Sequence, residues 1–189
     1  MRMKKAAAAL ILGMVLLCAA CGAASPETND PQPGEAQTGE GIFSSFTTKD
    51  LDGNIVDQDI LKGKKLTIIN VWATFCGPCL REMPELEKLS KEMADRDVQV
   101  VGIVVDVTNA NYQIKNDQMQ QAKEIVSQTG VSFPSLIPCR DLETLCGVQA
   151  VPTTFFVDEN GRQIGNAYVG ARDLETWSAI VEHVLEEIP

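Results

Sequence analysis

Histidine is almost missing from this chain: His183 is the only one in 189 residues. A zinc site completed by a histidine pair is therefore excluded, and so is a haem attachment site, because Leu80 rather than histidine follows the C-x-x-C of Cys76-Gly77-Pro78-Cys79. Cations are scarce as well. Lys and Arg number 16 against 26 Asp and Glu, and without Arg2, Lys4 and Lys5 of the first 20 residues the net charge moves from −10 to −13. So acidic a surface repels phosphate backbones and anionic lipid, so no nucleic acid is expected as a partner. Long apolar runs are lacking too. The longest, Ala6 to Leu17, has 12 residues, short of the roughly 20 that cross a bilayer.

What that short run does have is context. Met1-Arg2-Met3-Lys4-Lys5 is a basic leader, and Cys18-Ala19-Ala20-Cys21 follows the apolar stretch, so residues 1–20 read as a signal peptide. Small residues before Cys21 resemble the lipobox of bacterial lipoproteins, which implies cleavage before Cys21 and a lipid on it. Leu17 stands one place further out than that pattern usually has its leucine; cleavage near Ala24 and plain secretion is the other reading. Either places the mature protein outside the cytoplasm, and the first anchors it to the cell membrane. Residues 21–41, rich in Ala, Ser, Pro, Glu, Thr, Gln and Gly with no apolar period, are expected to be a flexible tether. Residues 42–189 are the size of one ordinary domain.

Within that domain strand and helix patterns alternate. Ile42 to Thr48 and Asn54 to Val56 read as a hairpin across Asp50-Leu51-Asp52-Gly53. Leu66 to Trp72 reads as a buried strand, Pro78 to about Ala94 as a helix, Val98 to Val107 as a strand and Asp117 to Gln128 as a helix. A short strand over Val131 to Ile137, a brief helix over Asp141 to Cys146, strands over Thr153 to Val157 and Gln163 to Val169, and a helix over Arg172 to Glu187 follow, with Trp177 and His183 of that last helix read as packing and surface residues. Such alternation predicts an α/β fold with a central sheet and helices on both faces. Ligand chemistry in these sheets gathers at the carboxyl ends of parallel strands, where Cys76 falls.

A thiol pair spaced C-x-x-C at the start of a helix can exchange electrons with another protein's disulfide. Free backbone N–H groups and the helix dipole stabilise a thiolate there, and the second cysteine sits one turn away. Cys76, the outer residue, is the expected nucleophile; Cys79 resolves the mixed disulfide. Pro78 suits the first turn because its missing N–H has no partner there.

Val71-Trp72-Ala73-Thr74-Phe75-Cys76-Gly77-Pro78-Cys79, then Pro84, then Val151-Pro152-Thr153 and Val169-Gly170, resemble the landmarks of the thioredoxin superfamily over roughly residues 42–189. The lipobox, the hairpin and the extra helix and strand between Val107 and Cys139 resemble its ResA/TlpA branch, which faces the extracytoplasmic space and mostly reduces disulfides. This implies a thioredoxin-like fold with a mixed sheet, an N-terminal hairpin and an inserted helix-strand unit. Gly77-Pro78 matches thioredoxin itself, a reductant near about −270 mV.

The resemblance implies roles for other residues. Glu82, three residues beyond Cys79 on the same helix face, matches a glutamate that tunes the cysteines' protons and could take the proton of Cys79. Asn70 stands where thioredoxin has its buried aspartate. Pro152 matches the cis-proline that holds the backbone of Val151 beside Cys76 for an extended substrate. Trp72 and Phe75 are candidates to flank the thiols, with a core role for Trp72 as the other reading, and Pro84 should bend its helix. No metal and no cofactor is implied. Expected partners are disulfide-bearing exported proteins, for example apocytochrome c, and a CcdA-like membrane thiol carrier as electron donor. The alternatives are a thiol peroxidase, whose P-x-x-x-T-x-x-C context is not matched, and a metal-delivery module, which would want C-x-x-x-C and a histidine in reach.

Cys139 and Cys146 belong to none of these landmarks. A straight helix between them would separate their Cα atoms by roughly 10.5 Å, beyond the approximately 7 Å that a disulfide tolerates. Pro138, however, leaves Cys139 in a turn that can fold back. A Cys139–Cys146 disulfide is therefore expected, with a second redox pair or two free thiols as alternatives.

Overall fold

All seven residues of strand β3, Leu66–Trp72, are buried, as a strand in the middle of a sheet covered on both faces requires. A computed structural model of the protein describes residues 41–188. The expected signal peptide, Cys21 and all of the tether but Gly41 lie outside the described residues. Strands β1 (Thr47–Lys49) and β2 (Ile55–Asp57) form the expected hairpin, with Gly53 supplying the positive φ of its turn. A 3₁₀ turn over Gln58–Leu61 then leads to β3.

From β3 the chain passes through helix α1 (Gly77–Glu92) to β4 (Val98–Val104), which lies parallel to β3 in register from Leu66–Val98 to Trp72–Val104. Helix α2 (Asn116–Thr129) follows, then β5 (Ser135–Leu136), parallel to β4. A 3₁₀ turn at Arg140–Leu142 and helix α3 (Glu143–Cys146) lead to β6 (Thr153–Val157), which returns antiparallel to β3. Strand β7 (Tyr168–Val169) pairs with β6, and helix α4 (Leu174–Glu186) closes the domain from its N-cap Asp173. The sheet order is β5-β4-β3-β6-β7.

Alternation along β3 sorts two cores. Leu66, Ile68 and Trp72 pack with Cys79, Met83, Leu86 and Leu89 of α1, with Ala122 and Ile125 of α2, and with Trp177, Val181 and Val184 of α4. Ile69 and Val71 face the other way, onto Phe43, Phe46, Leu61, Leu142 and Leu145. The three long helices thus share one face, while the N-terminal segment and the short α3 cover the other. Four strands are shorter than the sequence predicts: β1 begins at Thr47 and not at Ile42, β4 ends at Val104 and not at Val107, and β5 and β7 have two residues each. Pro134 offers no N–H for a ladder, which leaves β5 two residues long, and Gly165, at φ 60°, breaks the expected run from Gln163 into an isolated bridge and β7.

The described chain begins against the turn after β6. Phe43 N–H donates to Gly161 O at 3.1 Å, and a Cβ on Gly161 would stand 2.3 Å from the Phe43 backbone, so only glycine allows this approach. Because β6 runs against β3, this junction lies at the end of the sheet away from Cys76.

Candidate active site

Cys76 leaves β3 after the short loop Ala73-Thr74-Phe75 and caps α1. Its Sγ accepts the Cys79 N–H at 3.2 Å, the donor a thiolate would keep. The pair is joined as a disulfide with Cα atoms 5.3 Å apart. Cys76 is 5% exposed and Cys79 fully covered, which keeps the order of access the sequence predicts. Asp106, just past β4, holds the loop before Cys76: its carboxylate accepts the Thr74 N–H at 3.0 Å and the Thr74 hydroxyl at 2.5 Å.

The Val151–Pro152 peptide is cis, and Val151 O lies 3.5 Å from Cys76 Sγ. Backbone groups of an extended segment are therefore presented at the nucleophile. Beside them, Gly170 N–H donates to Pro152 O at 2.8 Å, which ties the end of β7 to this loop. Phe75, 76% exposed, and Val169, 61% exposed, leave large apolar surfaces near these groups.

Glu82 lies behind the thiols, one turn beyond Cys79, and is only 2% exposed. A buried carboxylate needs donors, and it has three. Trp177 Nε1 and the Arg172 backbone N–H donate to Oε1, each at 2.9 Å, and Asn70 Nδ2 donates to Oε2 at 3.2 Å. Asn70 also reaches Thr154 Oγ1 at 3.1 Å, across from it on β6. Burial raises the proton affinity of Glu82 above the ordinary carboxylate value; the Arg172, Trp177 and Asn70 donors and the Arg172 charge oppose the rise without cancelling it. A carboxyl held in this way can alternate between proton donor and acceptor one turn from Cys79.

Three sequence expectations change. Trp72 is fully buried and cannot touch a substrate: it shares the inward face of β3 with Leu66 and Ile68, and its Nε1–H has no hydrogen-bond partner among the described residues. Phe75 takes the exposed position. Cys139 and Cys146 are separate thiols and not a disulfide. The run from Arg140 to Cys146 is helical throughout, 3₁₀ then α, with Cys139 as its cap, so the chain does not fold back between the two. Helical rise holds their Cα atoms roughly 10 Å apart. Burial, and then the nearby Cys139, push the Cys146 thiol up to about 12, leaving it protonated and a poor nucleophile. Trp177, expected to be a packing residue, is also a hydrogen-bond donor to Glu82.

Sequence reasoning missed Arg172, Asp106 and Thr154, and the donor role of Trp177. Arg172 stands two residues beyond the Val169-Gly170 landmark, which was the one available signal. Among the described residues, no three His, Cys, Asp or Glu side chains gather into a metal-holding group.

The family model described as Redoxin matches residues 37–182. Among curated proteins, the thioredoxin-like protein YneN of Bacillus subtilis is 35% identical over 116 residues, covering 61% of this chain and 63% of that protein. The thiol-disulfide oxidoreductase ResA of Halalkalibacterium halodurans is 32% identical over 128 residues, covering 67% of this chain and 65% of that protein. Both matches thus span less than two thirds of the relative's length. Among solved structures, a thioredoxin-family thiol:disulfide interchange protein from Chlorobium tepidum superposes with TM-score 0.63 at 27% identity, over 79% of this chain and 99% of that one.

Proposed function

The chain belongs to the Redoxin family, and from that membership we propose that it is a thiol-disulfide oxidoreductase that reduces disulfides of exported proteins. The observation that carries this reading is the Cys76–Cys79 pair at the head of α1, beside the cis Val151–Pro152 carbonyl and backed by the buried Glu82. In the reduced protein the Cys76 thiolate attacks a substrate disulfide, and the first substrate sulfur leaves as a thiolate and is protonated. Glu82 takes the proton of Cys79, whose sulfur attacks Cys76 and releases the second substrate sulfur. The second substrate sulfur leaves as a thiolate and takes up the proton that Glu82 received; two electrons have then passed to the substrate, with one proton from Cys79 and one from solvent, and the protein holds the Cys76–Cys79 disulfide. A dithiol donor must restore it.

The Gly77-Pro78 pair supports the reducing direction. Apocytochrome c is the proposed example of a substrate, a CcdA-like membrane carrier the proposed donor, and a lipid on Cys21 the proposed anchor. Support for the anchor is the Ala19-Ala20-Cys21 sequence.

Insulin reduction tests the chemistry. Cys76→Ser should abolish it, and Cys79→Ser should accumulate mixed disulfides through Cys76; a normal rate in Cys76→Ser would overturn the assignment. Proteins trapped by Cys79→Ser in the native host identify the substrates, and membrane release of Cys21→Ala tests the anchor.

A further inference from the structure

Arg172 touches both halves of the site. Its Nη1 donates to Gly170 O at 2.6 Å and to Val169 O at 3.3 Å, while its own backbone N–H donates to Glu82 Oε1. Gly170 in turn donates to Pro152 O, and Val169 is the β7 partner of Thr153. The guanidinium carbon sits 5.2 Å from the ring centres of both Tyr168 and Trp177, and Trp177 is itself a donor to Glu82. Tyr168 and Trp177 pack edge-on to one another and to Phe156, so the stack has a rigid base.

The geometry points to Arg172 as a positioning residue that couples docking of substrate at the Val151–Pro152 and Val169 edge to the proton affinity of Glu82. This rests on the reading of the site as a disulfide reductase, and deepens it. The groups facing Glu82 are Asn70 of β3, Trp177 of α4 and Arg172 of the preceding loop, with Cys79 one turn away on its own helix. Of these, Arg172 carries the positive charge that favours the carboxylate. The same side chain is held in place by carbonyls of the strand edge. An extended substrate that displaces Val169 and Gly170 draws the guanidinium away, and Glu82 gains proton affinity when Cys79 must give up its proton. The coupling is reciprocal: a protonated Glu82 loosens its hold on the Arg172 loop and eases repacking of that edge.

Two variants test it. Arg172→Met keeps an apolar stem between the two rings but loses the charge and the donors; Arg172→Lys keeps the charge and one donor group. Titration of the Glu82 carboxyl, followed by ¹³C NMR in the disulfide form, should move to higher pH in Arg172→Met and return toward wild type in Arg172→Lys. The limb of the pH–rate profile that reports ionised Glu82 should move the same way. The KM for a disulfide-containing peptide should fall roughly 3- to 10-fold in Arg172→Met, because docking then breaks no guanidinium hydrogen bond to Val169 or Gly170. Folded Arg172→Met with unchanged titration, or Arg172→Lys no better than Arg172→Met, would overturn the proposal. A titration that moves in a protein reducing no disulfide at all would retain the link between Arg172 and Glu82 and reject the proposed function instead.

Discussion

At the scale of the residue, Glu82 sets most of the chemistry, and its cost is measurable. A carboxyl whose proton affinity is raised by folding binds more protons in the native state than in the unfolded chain over the interval above the ordinary carboxylate value of 4.5. Stability from this group is therefore complete below that value and falls as pH rises. Glu82→Gln removes the pH-dependent penalty and keeps an oxygen for Trp177 and Arg172, at the cost of turning an amide N–H toward the Asn70 donor. Its melting temperature should therefore rise relative to wild type as pH increases from 4 to 7. The same variant should reduce disulfides more slowly, without the pH-dependent limb. Scanning calorimetry across pH checks the first point, and equal melting at every pH would contradict the buried, ionisable state.

At the scale of the element, α1 is fastened to more than the thiols. Glu87, on its buried side, accepts from the Ser132 N–H at 2.8 Å and the Ser132 hydroxyl at 2.7 Å and pairs with Lys91 at 2.9 Å. Burial works against its ionised form, but the Ser132 donors and Lys91 outweigh burial and lower its proton affinity. Glu87→Ala, which strands the Ser132 N–H, should cost about 1–3 kcal/mol at neutral pH. Since a depressed carboxyl contributes above the unfolded value and loses its contribution as pH falls through the folded one, the gap to wild type should close in acid. Urea titrations at pH 7 and pH 3.5 would read both. The helical run from Arg140 to Cys146 makes its own prediction: a non-reducing peptide map should find Cys139 and Cys146 unlinked, and a crosslinked peptide would show that the run unwinds.

The extent to which each element was legible follows from the range of its contacts. β3 and α1 announce themselves through a seven-residue apolar run and a proline in the first turn, and Cys76, Cys79 and Glu82 are set by spacing along one helix. Trp72 was ambiguous because a residue at the end of a buried strand can turn inward or stay at the rim, and only the packing of α1, α2 and α4 on one face decides. Two of the three donors to Glu82 come from 90 and 95 residues away. No helical period distinguishes a tryptophan that packs from one that packs and also donates a hydrogen bond.

At the scale of the whole molecule, the junction of Phe43 with Gly161 decides which way the thiols look. The described chain joins the domain at one end of the sheet and Cys76 opens at the other, about 23 Å away along a seven-residue strand. If Cys21 carries the proposed lipid, the 20 steps from it to Gly41 can span at most about 70 Å. On that proposal, a client in solution approaches the thiols at the end of the domain remote from the attachment, and a donor in the bilayer reaches them only within the span those 20 steps allow. Deleting ten residues between Cys21 and Gly41 should therefore leave insulin reduction unchanged while slowing recharging by the membrane donor, measured as a larger steady-state fraction of oxidised Cys76–Cys79 in cells. Equal slowing of both would place the limit in the domain itself. On the proposed anchoring, the reach of the chain from Cys21 to Gly41 joins the chemistry at Cys76 in setting how quickly one reductant serves both client and donor.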